Sequence, residues 1–259
     1  MAARAHRRRG DAAGLRDARG AQGRALLRAR QETGRAAARP AQGARRALLR
    51  ALDERPAASP AATPRPELVA SPGDAERVAA KLRLLAAGKG YVVVSPFSVW
   101  GTKMWFADRF ARTGAELARR HGLAVVGVGG GAGREAVIGR TIVEKVAEAG
   151  GKAVSLVGET SIGELKAVIK GARLVLANDS APVHVAAAFN VPTVAIFGPT
   201  ARKWGFFPLS ERAIVVERLG LECRPCHIHG PQKCPKGHFR CMNDIQVEDV
   251  VQAVENLLR

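Results

Sequence analysis

Residues 173–200 read RLVLANDSAPVHVAAAFNVPTVAIFGPT, and the order of elements inside this stretch decides the fold. Residues 173–177 form a short apolar run that passes directly into Asn178-Asp179-Ser180. Pro182 suits the first turn of a helix, where its fixed φ is already helical and its missing N–H would have had no partner. Residues 182–189 carry on as a small-residue helix, and residues 193–197 are a second apolar run stopped by Gly198-Pro199. Strands that are apolar throughout, joined by a helix, predict a parallel sheet covered on both faces.

The same alternation continues on either side. Apolar runs at 91–95, 123–128 and 153–157 read as further buried strands. Helical spacing is present over 76–85, 106–121, 134–149, 161–170 and 247–258. Gly122 is placed to end the second of these helices and Gly150-Gly151 the third. Ser161 and Glu164 stand in capping-box positions at the start of the fourth. The expectation is a doubly wound, Rossmann-like α/β domain spanning 67–259, with its ligand site at the carboxyl ends of the strands.

Three segments fall at those strand ends: SPFSVWGTKMW (95–105), GGGAGRE (129–135) and NDSAPVH (178–184), the last followed by FGPT (197–200). The glycines of the second lack the spacing of a dinucleotide fingerprint, and glycine-rich turns of this kind also serve packing alone. The helix entered at Ala181-Pro182 offers backbone N–H groups and the positive end of its dipole, an arrangement suited to phosphate. Asp179 or Ser180 could instead simply cap that helix, and His184 could be a core histidine. Lys103, a short loop beyond the first strand, would point its ammonium at the same rim and could balance a diphosphate. Glu135 opens the next helix, where the dipole favours an acid with or without a ligand.

Charge is spread unevenly. The 259 residues carry a net +18, yet residues 1–66 hold sixteen arginines, no lysine and five acids, a surplus of +11 that leaves +7 for the rest. No Val, Ile, Phe, Tyr or Trp occurs before Val69. Such a stretch has neither the residues that favour strands nor enough apolar surface to offset the entropy of ordering. Residues 1–66 therefore read as an Arg/Ala-rich arm and linker, disordered or loosely helical. No window has the roughly 18–20 consecutive apolar residues of a membrane span, and no apolar h-region follows the basic start. A cytoplasmic location is the expectation.

The four cysteines lie close together, as Cys223-x2-Cys226-x7-Cys234-x6-Cys241, with His227, His229 and His238 among them. Three readings stand open: a structural zinc on Cys223, Cys226, Cys234 and Cys241, reduced thiols in a surface loop over 223–241, or a disulfide. Nucleic acid is not an expected partner. The basic arm has no aromatic residues on which bases could stack, and the cysteine spacing is not that of a nucleic-acid zinc finger.

Taken in order, SPFSVWGTKMW, GGGAGRE, NDSAPVHVAAAFNVPTVAIFGPT and the cysteine-bearing tail resemble glycosyltransferase family 9. That family contains the ADP-heptose:lipopolysaccharide heptosyltransferases, and the tail is most similar to the heptosyltransferase II branch. The resemblance covers about residues 66–259 and is strongest over 178–200. It implies the C-terminal, donor-binding half of a GT-B fold. It further implies ADP-heptose as donor, lipopolysaccharide core as acceptor, no cofactor for catalysis, and peripheral association with the inner face of the inner membrane. By the same resemblance Lys103 would contact the diphosphate and Glu135 the ribose, while Asn178, Asp179, Ser180, Ala181, Pro182, Val183 and His184 would cradle diphosphate and heptose. Two residues depart from the motif. Ala181 replaces its glycine, with strain expected if the position requires φ > 0, and Val183 replaces its methionine. The family's acceptor site and catalytic base lie on a separate N-terminal domain that residues 1–66 do not resemble, so no catalytic base is assigned. The expectation is a heptosyltransferase-type chain, truncated and inactive alone, with a non-catalytic nucleotide-sugar-binding remnant as the alternative. The Ala/Arg/Gly/Pro bias of residues 1 to about 60 also fits a GC-rich stretch read out of frame or from an incorrect start.

Overall fold

The computed structural model describes residues 65–259 except 86, 87 and 132. The low-order arm expected over 1–66 thus lies outside the described residues, apart from Arg65 and Pro66. In chain order the elements are α1 (Pro72–Lys81), β1 (Tyr91–Ser95), α2 (Ala107–His121), β2 (Ala124–Gly127), α3 (Arg134–Glu148), β3 (Ala153–Ser155), α4 (Ile162–Lys170), β4 (Leu174–Asn178), α5 (Ala181–Ala188), β5 (Thr193–Phe197), β6 (Ala213–Glu217), α6 (Arg240–Asn243) and α7 (Val247–Leu258).

The six strands lie in the order β3-β2-β1-β4-β5-β6, and every neighbouring pair is parallel. Val92 faces Val125 on one side and Leu174 on the other. Because side chains alternate across a strand, each run feeds two cores. Val92, Val94, Leu174, Leu176, Val194 and Ile196 pack with residues of α2, α3 and α7. Val93, Val126, Val175, Ala177 and Ala195 pack with residues of α1, α4 and α5. Strands buried on both faces must be apolar at every position, which is why they read as unbroken runs.

Helix ends follow their local chemistry. Ser71 caps α1 by accepting from the Asp74 N–H at 3.1 Å, and Pro72 opens the helix, four residues before the expected start. Gly122 ends α2 in the left-handed conformation, φ 68°. The capping box of α4 is formed as expected: the Glu164 N–H donates to Ser161 Oγ at 3.1 Å, and the Ser161 N–H donates to Glu164 Oε2 at 2.8 Å. The strand expected over 153–157 stops at Ser155, at the sheet edge where pairing is one-sided. Strand β6, half-buried at the opposite edge, carried no expectation.

Strand order reverses between β1 and β4, whose connections leave toward opposite sides. A crevice forms outside their carboxyl ends, and ligands of doubly wound sheets bind there. Lys103 follows β1 and Asp179 follows β4, so both flank this switch point.

Candidate functional site

The loop after β1 turns through a short 3-10 helix, Gly101–Lys103, which carries the Lys103 side chain inward. Its ammonium lies 2.7 Å from Asp179 Oδ2, with the two side chains only 9% and 4% exposed. The same carboxylate oxygen accepts from Thr200 Oγ1 at 2.8 Å. Lys103, from the end of β1, Asp179, from the end of β4, and Thr200, from the turn after β5, therefore meet at one point. The Phe206 ring faces the ammonium, its centroid 5.7 Å from the Lys103 nitrogen.

Asn178 is fully buried and anchors the β1 loop: its Oδ1 accepts from the Trp105 N–H at 3.0 Å. Its Nδ2 has no hydrogen-bond partner. Ser180 is the N-cap residue of α5, yet its side chain makes no cap and its Oγ donates to Asn178 O at 3.2 Å instead. Asp179 does not cap the helix either, since its carboxylate is engaged by Lys103 and Thr200. The capping alternative for these two residues is thus not what the structure holds, and the start of α5 is left without a side-chain cap.

Ala181 begins α5 with its side chain exposed, Pro182 follows, and Val183 is buried in the core. Among the described residues only Asn190 and Phe239 have positive φ without being glycine. The strain expected at Ala181 is therefore not present; a helical first position accommodates a Cβ. His184 is half-buried one turn into α5. Burial holds its imidazole below the ordinary value of 6.5; the Asp179 charge opposes that shift and the Lys103 charge adds to it. The three groups thus share one electrostatic field.

Glu135 sits in the first turn of α3, one strand over from β1. Its carboxylate folds back over the glycine loop: a Cβ on Gly131 would fall 2.2 Å from Glu135 Oε2. A side chain at Gly131 would therefore push that carboxylate aside. An apolar cleft of about 430 Å3 lies elsewhere, between α1, α4 and the start of β1, and it is lined by Val78, Leu82, Leu85, Tyr91 and small residues. It is at the amino end of the strands, away from the converging polar groups.

The four cysteines are free thiols, so the disulfide reading is not realised. Cys241 is buried at the start of α6, and its thiol is pushed up to about 12, chiefly by burial and further by the proximity of Cys226, Cys234 and Cys223. Cys223 Sγ lies 3.7 Å from His238 Nε2. As placed, no group of three or more His, Cys, Asp or Glu among the described residues is positioned to hold a metal ion.

Sequence reasoning gave no role to Thr200 or Phe206. Thr200 had a signal, since it closes FGPT at the end of a strand. Phe206 had none, because only tertiary packing brings it to the site.

Comparison with known proteins extends this geometry. The chain spans about half the length of the curated relatives it matches. Lipooligosaccharide heptosyltransferase 2 of Campylobacter jejuni serotype O:2 is 32% identical over 177 residues, 68% of this chain and 53% of that protein. Lipopolysaccharide heptosyltransferase 3 of Escherichia coli K12 is 29% identical over 184 residues, 69% of this chain and 49% of that protein. Among solved structures, E. coli ADP-heptose LPS heptosyltransferase II superposes with a TM-score of 0.57 at 24% identity, over 76% of this chain and 56% of that one. A family 9 glycosyltransferase from Veillonella parvula gives 0.59 at 24% identity, over 74% and 53%. At that identity the superpositions speak for the fold: an α/β half shared with GT-B enzymes. The family model for glycosyltransferase family 9 (heptosyltransferase) matches residues 9–234, which takes in the strand-end segments as well as part of the N-terminal arm. The chain belongs to glycosyltransferase family 9.

Proposed function

We propose that this chain supplies the donor-binding half of a heptosyltransferase that moves heptose from ADP-heptose to a sugar hydroxyl of the lipopolysaccharide inner core. The observation that carries the reading is the buried Lys103–Asp179–Thr200 cluster beside the uncapped start of α5, at the switch point of the sheet. A diphosphate seated there meets one ammonium and the positive end of a helix. Glu135, at the rim one strand over, offers a carboxylate to the two ribose hydroxyls. Asn178 brings a buried amide donor without a partner, a group whose desolvation a ligand oxygen or water would relieve.

In the transfer, the acceptor oxygen forms a bond to the anomeric carbon while the bond from that carbon to the diphosphate oxygen breaks. The acceptor's proton passes to a base, and ADP departs with the electron pair. Lys103 and the α5 amides stabilise the charge that develops on the leaving diphosphate. Lys103 is well suited to this: already desolvated and held against Asp179, it needs little reorganisation when the second anion arrives. No metal is needed at the reacting carbon. The reading places the protein in the cytoplasm, at the inner face of the inner membrane where its acceptor is built. Among the described residues no helix is long and apolar enough to cross a membrane.

Calorimetric titration with ADP, UDP and ADP-heptose tests the donor site. ADP and ADP-heptose should bind, with UDP weaker. Lys103→Gln keeps a donor toward Asp179 but removes the charge. It should weaken ADP by roughly ten- to a hundredfold, the worth of a hydrogen bond to a charged group. Absence of ADP binding by the unaltered chain sinks the proposal. Mass spectrometry of heptose-deficient core lipopolysaccharide incubated with ADP-heptose separates transfer from binding alone.

A further inference from the structure

We infer that the cysteine-bearing loop is the positioning element of the donor site, with Arg224 as its anchor and Lys103 as the group it positions. The inference rests on the donor-site reading for its functional meaning and on contacts alone for its geometry. The site is assembled from three strand-end loops, and β1, β4 and β5 fix only where those loops begin.

The cysteine-bearing loop ties two of them together. On one side, Arg224 Nε donates to Gly198 O at 2.6 Å and the Cys226 N–H donates to Pro199 O at 3.1 Å, so the turn that presents Thr200 is gripped at two successive carbonyls. On the other side, Pro231 O accepts from both the backbone N–H, at 3.2 Å, and the hydroxyl of Thr102, next to Lys103. Gln232 completes that grip: its Oε1 accepts from the Gly101 N–H at 3.0 Å and its Nε2 donates to Val99 O at 2.8 Å. Between the two grips lies Gly230, at φ 84°. A Cβ there would fall 3.1 Å from Thr102 Oγ1, 3.2 Å from Pro199 Cγ and 3.3 Å from Lys103 Cγ. The loop backbone is therefore wedged against the aliphatic stem of Lys103.

Arg224 holds the loop in place. Its side chain is 7% exposed, it pairs with Glu217 of β6, itself 6% exposed, and it also donates to Arg218 O. One guanidinium thus joins β6, the FGPT turn and the cysteine-bearing loop. A lysine cannot serve three acceptors in that fixed fork. From Glu217 through Arg224, Gly198, Thr200 and Asp179 to Lys103, then through Thr102 back to Pro231, the contacts form a closed circuit.

The test uses the full chain and the exposure of Lys103 itself. A short pulse of N-hydroxysuccinimidyl acetate, read by peptide mass spectrometry, gives its acetylation rate relative to exposed Lys233 and Lys236. In the unaltered chain Lys103 should be strongly protected. Arg224→Gln should raise its relative rate by at least about tenfold, through local opening that leaves the rest of the domain folded. Arg224→Lys should fall between the two. Gln232→Ala, a change at an exposed side chain that should not threaten folding, should raise the rate several-fold. If Arg224→Gln does not fold, that second variant decides. Unchanged Lys103 protection in a folded Arg224→Gln or Gln232→Ala overturns the inference. In parallel, Arg224→Gln should lower ADP affinity when Lys103 is present and have little further effect in a Lys103→Gln background, whereas losses that simply add would mark a general structural role and overturn it. If the unaltered chain does not bind ADP, the donor-site reading fails while the acetylation rates still decide whether the loop positions Lys103.

Discussion

Lys103 and Asp179 lie 2.7 Å apart with less than a tenth of either side chain exposed, so they form a buried ion pair. Removing one partner of such a pair typically costs about 3–5 kcal/mol, because the remaining charge stays buried and unpaired. Thr200 gives Asp179 one further hydrogen bond, which softens that loss without replacing the charge. His184 shares the environment and sets a pH dependence. Its folded-state pKa is lowered, chiefly by burial. The unfolded chain therefore takes up a proton near the ordinary value of 6.5, before the folded chain does, and stability falls as pH drops below that value. Above it both states hold a neutral ring and the contribution is constant. His184→Gln should remove this dependence: the melting temperature of the unaltered chain should fall relative to the variant between pH 7 and pH 5.5, and not between pH 7.5 and pH 8.5. A gap that stays constant down to pH 5.5 would show that the ring is not held neutral. At this scale the sequence was informative where residues were adjacent in the chain. Asn178-Asp179-Ser180 and Lys103 could be placed on strand ends, but the pairing of Lys103 with Asp179 could not, because 76 positions separate them and only the sheet order brings β1 beside β4.

Elements were legible to the degree that their burial is two-sided. Tyr91–Ser95 and Thr193–Phe197 lie in the middle of the sheet, and their apolar runs match the strand limits observed. Ala213–Glu217 lies at an edge, half-buried along its whole length and bounded by charged residues, so its run of four branched or small apolar side chains before Glu217 gave too little signal. Helix α1 was misjudged at its start because Ser71 and Pro72 mark it through capping rather than through periodicity. An ion-pair cluster joins α1 to α4. Glu164, at the third position of α4, is 2.8 Å from the Lys81 ammonium of α1, accepts from the Ser161 N–H, and lies 3.7 Å from Arg77. The Lys81 contact is the foremost cause of a carboxyl pKa lowered from 4.5 to about 2, followed by the Ser161 N–H, with burial opposing both. A lowered carboxylate stabilises the fold fully above the unfolded value and loses that stabilisation as pH falls toward the folded one. Urea unfolding of the unaltered chain and Glu164→Gln should show the variant weaker at pH 7, with the gap closing between about pH 4.5 and about pH 2. A gap independent of pH in that window would mean that packing, not ionisation, links the two helices.

At the scale of the whole molecule, the sheet order places three strand-end loops around one crevice, and the cysteine-bearing loop joins two of those loops from outside. The class of fold was legible because a parallel sheet buried on both faces imposes its composition on every strand. The bracing was not, since Arg224 and Gly230 occupy a loop whose cysteines suggested a metal site or thiols and whose contacts with Gly198, Pro199 and Thr102 leave no periodic trace. A crevice lined by loops from separate strands has a measurable consequence. A ligand that bridges Lys103 and the start of α5 joins segments that part on unfolding, so it binds the folded state alone and stabilises it by mass action. With ADP at a hundred times its dissociation constant, the gain is about 2.7 kcal/mol. For a domain of this size each kcal/mol raises the melting temperature by roughly 2–4 °C, so a shift of about 5–10 °C is expected. Inorganic phosphate at the same concentration should produce much less, because it can engage one anion position and has neither a ribose for the contact proposed at Glu135 nor a second phosphate. An equal shift with phosphate and ADP would reduce the crevice to a general anion site, and no shift with ADP at a concentration where calorimetry detects saturation would place the nucleotide outside the folded core.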